Sequence, residues 1–110
     1  MSREALGNFE LMVLLAVIRV GEDAYGVTVA DEIRHRGGRD ALLGSVYAAL
    51  DRLDAKGLVQ SRMGDATPER GGKAKKHFRV TAKGLREVRS AQKTLVALWR
   101  GLPALQRGTA

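Results

Sequence analysis

The chain has 110 residues, a net charge of +7, 45 % hydrophobic and 28 % charged residues, the balance of one globular domain with a modest core. No apolar run approaches the ~20 residues that span a bilayer; the longest is Leu11 to Ile18. With no cysteine, disulfides, thiol catalysis and thiolate metal sites are excluded, and Met1-Ser2-Arg3-Glu4 opens without a secretory-signal pattern.

From Asn8 to about Val20, apolar residues at Phe9, Leu11, Met12, Leu14, Leu15, Val17 and Ile18 recur at helical spacing. They predict a helix buried on most sides, with Asn8 as its N-cap and Gly21 as its stop. A second helix is expected from Tyr25-Gly26 to about Arg36. Val27, Ala30 and Ile33, with Val29 beside them, form its apolar stripe, and Gly37-Gly38 ends it. Ala41-Leu42-Leu43 has room only for a short bridging strand. A third helix is expected from about Ser45 to Lys56, closed by Gly57. Val46, Ala49, Leu50 and Leu53 fall at i, i+3, i+4, i+7, and Ser45, Tyr47, Ala48, Asp51, Arg52 and Lys56 occupy the opposite face.

Leu58 to Met63 and His77 to Val80 alternate apolar and polar residues and read as two strands, with Phe78 and Val80 inward. The segment between them, Gly64 to Lys75, is rich in glycine, charge and turn formers and carries no large apolar residue, as an exposed hairpin tip does. The charge is concentrated nearby. Arg70, Lys73, Lys75, Lys76, Arg79, Lys83, Arg86, Arg89 and Lys93 face a single acid, Glu87, within one stretch of sequence. A localised positive field is the footprint of a nucleic-acid or acidic-surface binder. Thr81 then caps a long helix from Ala82 to about Arg100, which Gly101 and Pro103 break. Leu85, Val88, Gln92, Leu95, Trp99 and Leu102 step by three and four, a heptad seam.

Three helices, a two-stranded ribbon and a long helix give a mainly α chain with a small β-wing: a winged helix-turn-helix over residues 1–81, then a C-terminal dimerisation helix and tail over 82–110. The third helix is the natural recognition helix, because its polar face is free to enter a major groove. On this reading the contacts to double-stranded DNA are Ser45, Tyr47, Ala48 and Arg52 on that helix, and Arg70, Lys73, Lys75 and Lys76 in the wing. Alternatives stay open for each. Tyr47 could pack against the second helix, Arg52 could pair with Asp51 or Glu32, and the wing lysines could be solvated charge.

Several stretches, in order, resemble PadR-family transcriptional regulators. They are Leu6 to Ala16, Tyr25-Gly26, Gly44 to Leu53, Gly57-Leu58-Val59, and Lys76-His77-Phe78-Arg79-Val80-Thr81-Ala82-Lys83-Gly84. His77-Phe78 stands where a tyrosine pair is frequent, and the usual proline near the start of helix three is absent. The resemblance implies a cytoplasmic dimeric repressor of the short subgroup, with one C-terminal helix. Tyr47 and the start of helix three would meet DNA, and the wing would lie on the backbone. In some relatives a small aromatic or hydrophobic effector binds between subunits.

The long helix carries its own argument for a homodimer. Some 20 residues make about 30 Å of helix, more than the preceding chain can cover. Leaving Leu95, Leu98, Trp99 and Leu102 in water forgoes about 1.5–3 kcal/mol per large side chain. A two-fold partner also places two recognition helices about 34–36 Å apart, to match a two-fold operator. Trp99 reads as an interface anchor, or as the wall of an effector pocket completed by Phe9, Met12 or Val13. No catalytic residue, cofactor, metal site or membrane contact is expected: His35 and His77 lack the spacing of a nucleophile–base pair or of metal ligands. The rival to an operator-binding regulator is a winged helix used for protein–protein or RNA contacts. The five aromatic residues make a poor stacking platform for RNA.

Overall fold

The computed structural model describes residues 6–64 and 75–106. Among these residues, five helices and one ribbon follow in order: α1 (Asn8–Val20), a 3-10 turn (Gly21–Asp23), α2 (Gly26–Gly37), α3 (Leu43–Ala55), β1 (Val59–Met63), β2 (Lys76–Val80), α4 (Ala82–Trp99) and the short α5 (Pro103–Gln106). The mainly helical, winged architecture read from the sequence is the one observed.

The apolar periodicity of each helix decides which side faces in. Val13, Leu14, Ala16 and Val17 of α1 meet Val29, Ala30 and Ile33 of α2 and Val46, Ala49, Leu50 and Leu53 of α3. Ala24, Leu58, Val59 and Phe78 close this single core. Among the described residues, every buried side-chain nitrogen or oxygen has a hydrogen-bond partner. β1 and β2 pair antiparallel, from Val59 opposite Val80 to Met63 opposite Lys76. Phe78 and Val80 point toward the core, as their alternation requires.

Several local expectations are corrected. The N-cap of α1 is Gly7, not Asn8; the Gly7 N–H donates to Glu10 Oε1 at 3.1 Å, so a side chain from inside the helix does the capping. Val27 lies on the exposed side of α2, because Val29 takes the inward position in the first turn. Ala41-Leu42-Leu43 forms no strand. Leu42 is the N-cap of α3, and Leu43 is already helical, two residues before the expected start. The backbone partner of the ribbon's outer edge is Ala24, whose carbonyl accepts from Phe78 N at 2.8 Å. α1 is less enclosed than expected: Leu15 and Ile18 remain exposed. The break at Gly101 and Pro103 is observed, and past it the chain turns into the short α5.

The start of α4 is moored to the turn after α3. Thr81 Oγ1 accepts from Gly84 N at 3.0 Å and donates to the Gly57 carbonyl at 2.7 Å. Thr81 N donates to the Leu58 carbonyl at 3.0 Å, and Lys83 Nζ to the Lys56 carbonyl at 2.9 Å. Only glycine allows this approach at position 84: a Cβ there would lie 2.2 Å from the Leu58 carbonyl oxygen.

Candidate nucleic-acid interface

The two sides of α3 are chemically divided. Val46, Ala49, Leu50 and Leu53 are sealed in the core, while Ser45, Tyr47, Ala48, Asp51 and Arg52 stand outward. Ser45 is in the first turn, where backbone N–H groups without intrahelical partners create a positive end. Ser45, Ala48 and Arg52 fall at i, i+3 and i+7 and therefore form one stripe; Tyr47 and Asp51 form the neighbouring one.

Tyr47 does two things at once. Its ring lies across Gly26 at the start of α2, where a Cβ would come within 2.4 Å of ring carbons. The residue is nevertheless 43 % exposed. The packing reading is thus correct for the ring, and it leaves the residue at the surface. Gly26 opens α2 because Tyr47 needs the space a side chain would fill.

Arg52 pairs with neither Asp51 nor Glu32. Its Nε donates to Glu10 Oε2 at 3.0 Å, and Lys56 Nζ reaches the same carboxylate at 3.2 and 3.3 Å. Glu32 is engaged elsewhere, by Arg19 and Arg36. Glu10 is 6 % exposed, the buried charged residue among those described. Burial alone pushes its carboxyl up. The hydrogen bonds from Arg52, the Gly7 backbone and Lys56 outweigh this and hold it below the usual carboxylate value. Sequence reading missed Glu10. The available signal was an acid three residues after a glycine N-cap, at the mouth of an apolar run.

At the base of the wing, Lys76 is exposed and Lys75 is half-buried, its ammonium 5.2 Å from the centre of the Tyr25 ring. Arg70 and Lys73 lie outside the described residues. His77 packs edge-on to Tyr25, with ring centres 5.3 Å apart, and its Nε2 is 3.6 Å from Asp23 Oδ1. The fold supplies that carboxylate from 54 positions earlier in the chain, which no local spacing reveals. Among the described residues, no group of three His, Cys, Asp or Glu residues could hold a metal ion, and no helix is long and apolar enough to cross a membrane.

The C-terminal side is apolar and open. Leu85 and Val88 are half-buried against their own chain. Gln92, Leu95 and Trp99 are exposed, with Leu95 at 48 % and Trp99 at 63 %. Leu98, outside the heptad seam, is more exposed still at 69 %. Leu102 is exposed but lies beyond the end of α4, so the helical part of the seam stops at Trp99. Between α1 and α4 runs a groove of about 570 Å³, lined by Leu11, Leu15, Val88, Leu95, Val96 and Trp99. Of the residues expected around an effector, only Trp99 lines it. Val13 is fully buried in the core and cannot touch a ligand; Phe9 packs on that core, and Met12 lines a separate cleft with Ile33 and Arg36.

A three-helix core, a ribbon following the third helix, and an outward polar face on that helix define a winged helix-turn-helix protein. The transcriptional regulator PadR-like family model matches residues 14–90, and the chain belongs to that family. Similar solved structures include a PadR family transcriptional regulator from Eggerthella lenta, 26 % identical, with a TM-score of 0.69 over 89 % of this chain and 83 % of that one. A PadR-like transcriptional regulator from Bacillus cereus is 20 % identical, with a TM-score of 0.71 over 92 % and 93 % of the two chains. PadR of Bacillus subtilis, in complex with operator DNA, is 20 % identical, with a TM-score of 0.67 over 77 % of this chain and 46 % of that one. Among curated proteins none matches.

Proposed function

We propose that this regulator is a homodimeric repressor that binds a two-fold site on double-stranded DNA in the cytoplasm. The observation that carries the reading is the division of α3, whose apolar face is sealed while Ser45, Tyr47, Ala48 and Arg52 are presented together. A major groove is about 12 Å wide and admits one such helix. Ser45 and the free N–H groups of the first turn suit a phosphate. Tyr47 and Arg52 reach a base edge or the backbone, and Arg70, Lys73, Lys75 and Lys76 hold phosphates beside the groove. The B. subtilis relative on operator DNA supports carrying this mode to the present chain.

A second copy of the chain covers the far half of α4. Leu95, Leu98 and Trp99 are too apolar to stay in water without loss, and pairing them returns about 1.5–3 kcal/mol for each large side chain buried. Leu85, Val88, Gln92 and Leu102 flank that contact. The groove beside Trp99 has the size of ligand clefts, about 300–1,000 Å³, and suits a planar apolar effector that releases the DNA.

Selection from a random duplex pool tests the reading. The expected return is a two-fold site whose affinity falls ~10³–10⁵ between 50 and 200 mM salt, as for six to ten neutralised phosphates. A protein-docking or RNA-binding module returns no duplex, and that result removes the proposal. For the effector, planar aromatic compounds should quench Trp99 emission and weaken the selected complex; compounds that do neither remove that part alone.

A further inference from the structure

The regulator reading leaves Glu10 unexplained. A carboxylate beneath a DNA-facing helix repels phosphate, yet here one is buried and fully engaged. Oε1 accepts from Gly7 N at 3.1 Å and Lys56 Nζ at 3.2 Å; Oε2 accepts from Arg52 Nε at 3.0 Å and Lys56 Nζ at 3.3 Å. Exposed ion pairs contribute little, whereas breaking an enclosed one strands a charge.

The way Arg52 is held matters more than the pair itself. Its contact with Glu10 uses Nε, its Nη atoms make no hydrogen bond among the described residues, and its side chain is 53 % exposed. The guanidinium is planar, with five donors in a fixed fork. Fixing the Nε edge therefore fixes the direction of the Nη donors. Arg52 shares its stripe of α3 with Ser45 and Ala48, the stripe proposed to face DNA.

We propose that Glu10 is a positioning residue for the DNA-facing side of α3: it anchors Lys56 and one edge of Arg52, so that the other edge of Arg52 is held ready for a phosphate oxygen of the duplex. Glu10 acts through Arg52 and does not touch DNA. The proposal rests on the DNA-binding reading above, and the outcomes below separate the two.

The probe is the duplex that the wild-type full chain selects from a random pool, with binding measured across a salt series. Glu10→Gln keeps the shape and removes the charge. Charge alone predicts tighter binding, because an anion near the duplex is gone. Positioning predicts the opposite sign, weaker by about fivefold, the size of coupling between contacting residues. Arg52→Gln should weaken binding about tenfold and lower the salt slope by about one. Glu10→Gln should cause no further loss in the Arg52→Gln background. Arg52→Lys keeps the charge without a second edge and should fall close to Arg52→Gln. Circular dichroism and a thermal midpoint check folding. Should Glu10→Gln not fold, Arg52→Lys against Arg52→Gln decides.

Three results overturn the proposal: Glu10→Gln binding as tightly as wild type or tighter, the same Glu10→Gln loss in both backgrounds, or full affinity in Arg52→Lys. A wild-type chain that selects no duplex overturns the regulator reading and this one together; wild-type binding with an unchanged Glu10→Gln overturns this one alone.

Discussion

The body of the molecule and the far half of α4 are built on opposite terms. Around α1, α2, α3 and the ribbon, large side chains such as Leu14, Leu50 and Leu53 are wholly enclosed. Ten residues past its moored first turn, α4 presents Leu95, Leu98 and Trp99 to solvent. Both regions have strong helical periodicity, so periodicity alone does not tell a satisfied helix from one that needs a partner. What differs is the supply of apolar surface to pack against: α3 is enclosed by neighbours of its own chain, and the end of α4 has run past them.

The largest effect should come from breaking the open half. If the proposed dimer forms through this face, Leu95→Asp with Trp99→Asp is expected to raise its dissociation constant by about 1,000-fold or more, seen by analytical ultracentrifugation, while the thermal midpoint of the monomer body stays intact. The reverse perturbation, Leu50→Ala, should cost the body about 3 kcal/mol in denaturant unfolding without altering the seam. At the junction, Gly84→Ala forces a methyl against the Leu58 carbonyl and should cost about 2 kcal/mol while loosening α4 from the body. Gly26→Ala sharpens the contrast within the body. The new methyl displaces the Tyr47 ring, so duplex affinity should drop about tenfold, comparable to Tyr47→Ala, with little change in stability because alanine favours the helix.

The smallest effect concerns acid. The Glu10 carboxyl is held below its unfolded value of about 4.3, so its contribution is complete above that pH and is lost as pH falls through the lower folded value. Stability measured from pH 5 downward should decline in wild type and decline less in Glu10→Gln.

Much of this was legible in the sequence because the relevant patterns are local. The i, i+3, i+4, i+7 run in α3 identified both its buried side and, by subtraction, the side that carries Ser45, Tyr47, Ala48 and Arg52. Thr81 and the terminal glycines announced the helix ends. Val27 was misplaced because it also fits a three-residue step to Ala30 and Ile33, and only the presence of α1 shows that Val29 is the inward residue. Ala41-Leu42-Leu43 is too short to distinguish a strand from the lead-in to a helix. The capping contact of Glu10 with Gly7 had a local signal, but its pairing with Arg52 and Lys56 did not, because those partners stand 42 and 46 residues away, where spacing says nothing. Val13 was offered with Phe9 and Met12 as a wall of an effector pocket, but adjacent residues of a helix point about 100° apart, and Val13 points into the core.

The mooring of α4 also makes the helix a lever. Its base is clamped to the turn that closes α3, and its 18 residues extend about 27 Å. In the proposed dimer, a tilt of about 10° where two such rods cross swings the opposite end by about 5 Å. The spacing between two reading heads is then set by the crossing angle, and whatever wedges that crossing apart retunes which operator lengths fit.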